Sequence, residues 1–375
     1  MTCCLQPIVA RLTTSPLASG SPQRPASWRA PAIWLLLCCA SITLASTAGC
    51  RTEPLANQAT ENAQPPPDAR RELKRLIGEY GADDDWLTVY EADGQLLADG
   101  LGLHQAHLRP TATNEFSTDD GSTVQRLSFE LQSQGHAAAV EVGGKRLPER
   151  DVGREVVERI QSGAETHLDQ LRPAALAAAP PSEPPPRRPA DLVDLSTLDP
   201  SIKLDIRYAS SNNFMGFPLY ERPAAYMQRP AAEALGRVAH SLARKGYGLL
   251  IHDAYRPWFV TKMFWDATPP AAHIYVADPS QGSRHNRGCA VDLTLYDLKS
   301  GQPVEMTGRY DEMSRRSFAD YVGGTSRQRW FRDFLRTSME SDGFSVYPQE
   351  WWHFDYKDWS DYAIGNRTFS ELQSH

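Results

Sequence analysis

The stretch Ser283–Tyr296, SRHNRGCAVDLTLY, joins a glycine-flanked turn to an alternating apolar run. The alternation predicts a strand over Gly288 to Tyr296, with Val291, Leu293 and Leu295 on one face. Asp292 then lies on the other face with Ala290 and Thr294. Its carboxylate is placed beside a core but faces away from the most apolar layer. His285 sits in the preceding loop, close enough to share a ligand with Asp292. Cys289 falls on the face of Val291 and Leu293 and reads as a buried core thiol.

Downstream, Glu350–Tyr356 reads EWWHFDY, an acid and an imidazole set among aromatics that would exclude water. A regular strand over Trp351 to Tyr356 puts positions 350 and 353 on opposite faces. For both to serve one site, Glu350 must lie in the turn after Pro348 or beside a bulge. Zinc accepts imidazole nitrogen and carboxylate oxygen, and a catalytic site needs three protein ligands and an open position. His285, Asp292 and His353 form such a set, and Glu350 is left as a base for water. Taken singly, a buried His or Asp is more often a satisfied structural group than a ligand.

Around these segments, Ala232, Leu235, Ala239 and Leu242 make an amphipathic helix ended by Lys245-Gly246. A strand over Tyr247 to Ile251 leads into Asp253-Ala254-Tyr255-Arg256-Pro257, with Pro257 placed to start a helix. Another helix is predicted over Arg327 to Glu340. Helices and strands without regular βαβ alternation indicate an α+β fold, a small antiparallel sheet with helices.

Four motifs in order, D-I-R-Y with Asn213-Phe214 and Tyr220, D-x-Y-R-P, S-x-H-x-x-G-x-A-x-D and E-W-W-H, resemble those of the zinc D-Ala-D-Ala dipeptidases. That group of enzymes belongs to the larger family of zinc D,D-carboxypeptidases. The resemblance covers residues 191–375. It implies one zinc ion held by His285, Asp292 and His353, Glu350 as general base and then acid, and Arg256 at the developing oxyanion. Met306–Asp311 resembles the segment that supplies an acid for the substrate ammonium. Asp311 is the candidate for that role, helped by Ser283 and Tyr208. The implied substrate is a small D,D-dipeptide. A carboxypeptidase or endopeptidase acting on cell-wall stem peptides, and a silent wall-binding module, are the alternatives. His252 has no matching motif and reads as structural.

The rest of the chain is organised differently. Of 375 residues with net charge −7, residues 1–50 hold three arginines and no acid or lysine, leaving −10 on the body. That charge excludes nucleic acid as an expected partner. The apolar run 31–45 behind those arginines is too short to span a bilayer comfortably and reads as a signal peptide. Thr47-Ala48-Gly49-Cys50 resembles a lipobox, which implies lipidation at Cys50, a membrane anchor and a protein facing the periplasm. Residues 51–70 are expected to be a disordered tether.

Residues 71–172 are read as a small, mostly antiparallel β domain ending in a helix. Its signals are a hairpin turn at Ala92-Asp93-Gly94, strand-like runs at Leu127–Leu131 and Ala139–Val142, and a turn at Gly143-Gly144. It resembles the lipocalin-like β-domains appended to some bacterial serine hydrolases. The segment 173–190 holds 7 of the chain's 28 prolines and is expected to be a semi-rigid linker between separate units. The pairs Arg187-Arg188 and Arg315-Arg316 are read as solvated surface.

Overall fold

The computed structural model describes residues 64–82, 85–118 and 124–373, without the side chains of 164–169. The readings on the signal peptide, the lipobox at Cys50 and most of the tether lie outside these residues. After a single helical turn, α1 (Arg71–Lys74), come eight antiparallel strands in chain order. They are β1 (Gly78–Ala82), β2 (Asp85–Ala92), β3 (Gln95–Gly100), β4 (Leu103–Ala112), β5 (Glu115–Thr118), β6 (Arg126–Leu131), β7 (Ala137–Val142) and β8 (Lys145–Pro148). A bridge between Tyr80 and Glu149, and the Arg150 amide donating to the Glu79 carbonyl, join the last strand to the first. Closure of this kind leaves little edge exposed. The hairpin at Asp93-Gly94 carries positive φ at both central residues, as a tight β2–β3 turn requires.

Helix α2 (Val152–Ala177) runs 26 residues and passes through Pro173, where the sequence suggests a stop. An internal proline costs about 3 kcal/mol, but the following Ala174-Ala175-Leu176-Ala177 favours helix, and Ala175 is fully buried in the core of the C-terminal domain together with Ile160. The rest of the proline-rich segment is docked rather than free. Glu183 accepts from the Ile364 amide and pairs with Arg287. Arg187 and Arg188 pair with Asp361 and Asp358, so this pair is not merely solvated.

The C-terminal domain opens with β9 (Leu192–Asp194) paired to β11 (Tyr226–Gln228), with β10 (Ile202–Leu204) between them in sequence. Then follow α3 (Arg229–Ala243), β12 (Tyr247–Asp253), α4 (Trp258–Ala267), β13 (Ala290–Asp297), α5 (Ser326–Glu340), β14 (Phe344–Tyr347), β15 (Glu350–Tyr356) and α6 (Phe369–Gln373). The main sheet has the order β10-β12-β13-β15-β14. It is mixed rather than purely antiparallel, because β10 runs parallel to β12. The buried faces of α3 and α5 contribute to its core, as does Cys289, whose thiol burial pushes up to about 12.

The two domains are not separate units. The buried Glu91 carboxylate, at the end of β2, accepts from the Ser326 amide at 2.8 Å and so caps the start of α5 beside the Thr325 capping box. The Glu91 amide donates to the Gly324 carbonyl, and Arg329 donates to the Glu91 carbonyl.

Candidate active site

Three adjacent strands place the polar side chains in one row. Asp292 of β13 is the direct cross-strand partner of His353 on β15 and of Asp253 on β12, positions whose side chains stand together on one face. Each alignment depends on an irregularity. In β12 the register shifts between Ile251 and Asp253, which turns Asp253 into line with Asp292. In β15, Val346 opposes Phe354 while the next residue, Tyr347, opposes Glu350. The resulting bulge breaks strict alternation, and Glu350 Oε2 comes to 3.6 Å from His353 Nδ1. His285 arrives from a 3-10 turn (His285–Arg287) closed by Gly288 at φ +69°. That positive φ is what calls for glycine here, and a Cβ at Gly288 would also press on the tip of Leu192, 2.5 Å from its Cδ2.

The hydrogen-bond geometry settles the tautomers. His285 Nδ1 lies 2.6 Å from the Ala254 carbonyl, which can only accept, so Nδ1 carries the hydrogen. His353 Nε2 lies 2.9 Å from Asp355 Oδ1 and donates to that carboxylate. The remaining nitrogens, His285 Nε2 and His353 Nδ1, are 3.0 Å apart and stand 3.2 and 3.0 Å from Asp292 Oδ1. Three lone pairs therefore converge, all within 4.8 Å of one another and all on buried residues. A single added proton relieves only one of these contacts, whereas one cation satisfies all three. The set of two imidazoles and a carboxylate fits zinc, and each imidazole is oriented by an outer acceptor, as ligating histidines commonly are.

Around this centre, one cavity of about 480 Å³ is lined by Tyr208, Arg256, Ser283, His285, Asp292, Asp311, Glu350 and His353 together. Every site residue read from the sequence, Cys50 apart, meets there. Arg256 is buried rather than on the surface. Its Nε and Nη2 donate to Asp253 Oδ2 at 2.9 and 2.8 Å, its guanidinium lies over the Phe264 and Tyr208 rings, and Nη2 is 3.7 Å from Asp292 Oδ2. Asp311, at φ +58°, accepts from the Tyr208 hydroxyl at 3.1 and 3.0 Å. Burial and the like charge of Asp292 push its carboxyl well above the usual range. Burial also pushes Glu350 up, to about 7, although the adjacent His353 opposes it. Ser283 Oγ accepts from the His285 amide, tying it to the ligand turn.

Three contributors escaped the sequence reading. Asp355 orients His353, Asp253 holds Arg256 while accepting from the Tyr220 hydroxyl, and the Tyr310 hydroxyl donates to Asp292 Oδ2 at 3.0 Å. Asp355 lies two residues from His353 and so on its strand face, a signal that alternation offered. Tyr310 had none, since its loop position is set only in three dimensions. His252 packs at a tilt against Tyr310, ring centroids 4.6 Å apart, and does not line the cavity.

Residues 188–375 match the D-Ala-D-Ala dipeptidase family, peptidase family M15. The chain belongs to this family of metallopeptidases. It is 33% identical over 180 residues to the D-alanyl-D-alanine dipeptidase of Escherichia coli, covering 48% of this chain and 92% of that one. It is 35% identical over 178 residues to that of Enterococcus faecium, covering 42% and 87%. The Streptomyces coelicolor dipeptidase is 32% identical over 189 residues, covering 45% and 92%. Peptidases of this family are zinc-dependent, and His285, Asp292 and His353 are the one group of three such side chains among the described residues that could hold a metal ion. The eight-stranded barrel and all of α2 lie outside the matched stretch.

Proposed function

We propose that the protein hydrolyses free D-Ala-D-Ala to two D-alanines, using zinc held by His285, Asp292 and His353. The observation that carries this reading is the pairing, within one cavity, of a candidate cation site and a half-buried acid that lacks a countercharge. Asp311 is half-buried with only a tyrosine hydroxyl for a partner, and among the described residues no side-chain cation lies within ion-pair distance of it. The ammonium of a free dipeptide supplies that missing charge, and an acylated amine cannot.

Zinc bound at this site supplies Lewis-acid polarisation and acidifies water. Glu350 accepts the proton of the attacking water and returns it to the departing amine nitrogen. Arg256, locked by Asp253, donates to the carbonyl oxygen as it gains charge, a contribution whose loss typically costs about 100- to 1000-fold in turnover. Tyr208 and Asp311 receive the ammonium, helped by Ser283 in the same cavity. In the cell the protein is exported and anchored through Cys50, and it acts on fragments released from the wall.

The test compares D-alanine release by the zinc-loaded protein from D-Ala-D-Ala and from its N-acetyl derivative. Cleavage of the free dipeptide only, with Asp311→Asn raising KM and narrowing the preference, is the expected result. Equal cleavage of both substrates would instead mark a stem-peptide carboxypeptidase.

The pH dependence follows from Glu350. Its carboxylate is the active form, so kcat/KM falls as pH drops through the folded-state value. Burial sets that value at about 7, and a cation on the neighbouring ligands favours the carboxylate and moves it down. A pH profile is expected to show one acid limb with its midpoint no higher than about 7, absent from Glu350→Gln.

A further inference from the structure

The segment that carries Tyr310 and Asp311 is gripped from outside the peptidase fold. Just before these two residues, Arg309 Nη2 lies 2.9 Å from both carboxylate oxygens of Asp151. Asp151 is the residue that links the barrel to α2, and it caps that helix by accepting from the Arg154 amide. Just after them, the buried Glu312 accepts from the Arg309 amide at 2.8 Å and from the Ser314 hydroxyl at 2.9 Å, closing the segment on itself. Gly153 of α2 leaves no space there: a Cβ would lie 2.7 Å from Glu312 Cγ, part of a buried stem rather than a free tip. The next two residues meet the barrel directly. The Arg315 guanidinium lies 4.1 Å from the Trp86 ring centroid, and Arg316 Nε lies 3.8 Å from Glu79 Oε2.

We infer that the barrel and α2 form a positioning brace for the acid that selects the substrate. Asp311 adopts a left-handed backbone that a non-glycine residue holds only when its surroundings impose it. Those surroundings are the contacts of Asp151, Gly153, Trp86 and Glu79 on four neighbours of Asp311, namely Arg309, Glu312, Arg315 and Arg316. The inference rests on the reading of Asp311 as the ammonium acceptor. On that reading, affinity for a free N-terminus depends on a domain that contributes no group to the cavity. Asp151, Gly153 and their barrel neighbours are positioning residues for Asp311.

The full chain, loaded with zinc, tests this with Asp151→Asn, which keeps the helix cap while removing the charge that meets Arg309. Gly153→Ala acts independently by pressing on Glu312. Expected are a KM for D-Ala-D-Ala raised at least threefold by Asp151→Asn and at least tenfold by Gly153→Ala, with kcat and zinc content unchanged. Amide hydrogen exchange over residues 308–317 is expected to accelerate in both while the barrel strands keep their protection. Unchanged exchange in this segment overturns the brace. So does faster exchange with an unchanged KM, provided Asp311→Asn itself raises KM. If Asp311→Asn also leaves KM unchanged, the ammonium reading has failed, and the brace falls with it.

Discussion

Glu350→Gln is expected to lower kcat for D-Ala-D-Ala by about 100- to 10,000-fold, the range for loss of a general base, with zinc content and KM little changed. Glutamine keeps the shape and one oxygen, so the bulge that places position 350 beside His353 has no reason to relax. What disappears is the ability to take a proton from water and pass it to the amine. Among the described residues of the cavity the other acids are engaged, Glu312 by the Arg309 amide and the Ser314 hydroxyl. Asp292 and His353 have their lone pairs turned to the cation site, and burial leaves Asp311 disposed to hold a proton rather than accept another. Steady-state kinetics, with zinc measured by elemental analysis of the same sample, provide the check. Residual turnover within tenfold of the parent would remove Glu350 from the mechanism.

Asp292→Asn is expected to abolish stoichiometric zinc and activity together. Asp292 is the hub of the row: its Oδ1 faces both imidazole nitrogens, and its Oδ2 accepts from Tyr310 and neighbours Arg256. Burial pushes its carboxyl up, while the His285 and His353 rings against it hold it well below the usual range. The amide removes the negative charge that offsets a dication, while two neutral imidazoles remain. A ligand at 1,000 times its Kd stabilises the folded state by about 4 kcal/mol. Chelation should therefore lower the Tm of the parent protein by several degrees and leave that of Asp292→Asn unmoved. Asp355→Asn, which touches no metal atom but orients His353, is expected to weaken zinc binding by about 10- to 100-fold. Equal zinc occupancy in parent and Asp292→Asn would refute the ligand set.

Both expectations draw on side chains that could be read from the chain. Period-two alternation in Val291-Asp292-Leu293 put Asp292 off the apolar face, and the loop before it held His285, because local backbone geometry depends on neighbours in sequence. The hairpin at Asp93-Gly94 and the double glycine at 143–144 were legible for the same reason: only a few residue types tolerate positive φ. The barrel's other strands were harder to see. In β4 only Leu103, Ala106 and Leu108 are buried and Pro110 interrupts the run, so its pattern is carried by its neighbours in the sheet.

What the sequence determined by itself was the inventory of candidate ligands, base and acid, together with the local elements that hold them, since these are matters of residue type and short-range periodicity. Only the tertiary structure decided three further things. Glu350 reaches His353 because pairing with β14 forces a bulge, an event between strands that no single strand encodes. Tyr310 and Asp355 became partners of the ligands through contacts made on folding. Helix α2 passed through Pro173, and the barrel joined the peptidase domain, because buried Ala175 and Ile160 and the capping carboxylate of Glu91 outweigh a helix-breaking residue and a proline-rich composition. Composition and propensity report what a segment prefers alone. Burial against a distant surface is worth more than that preference, and it is visible only once the surface is in place.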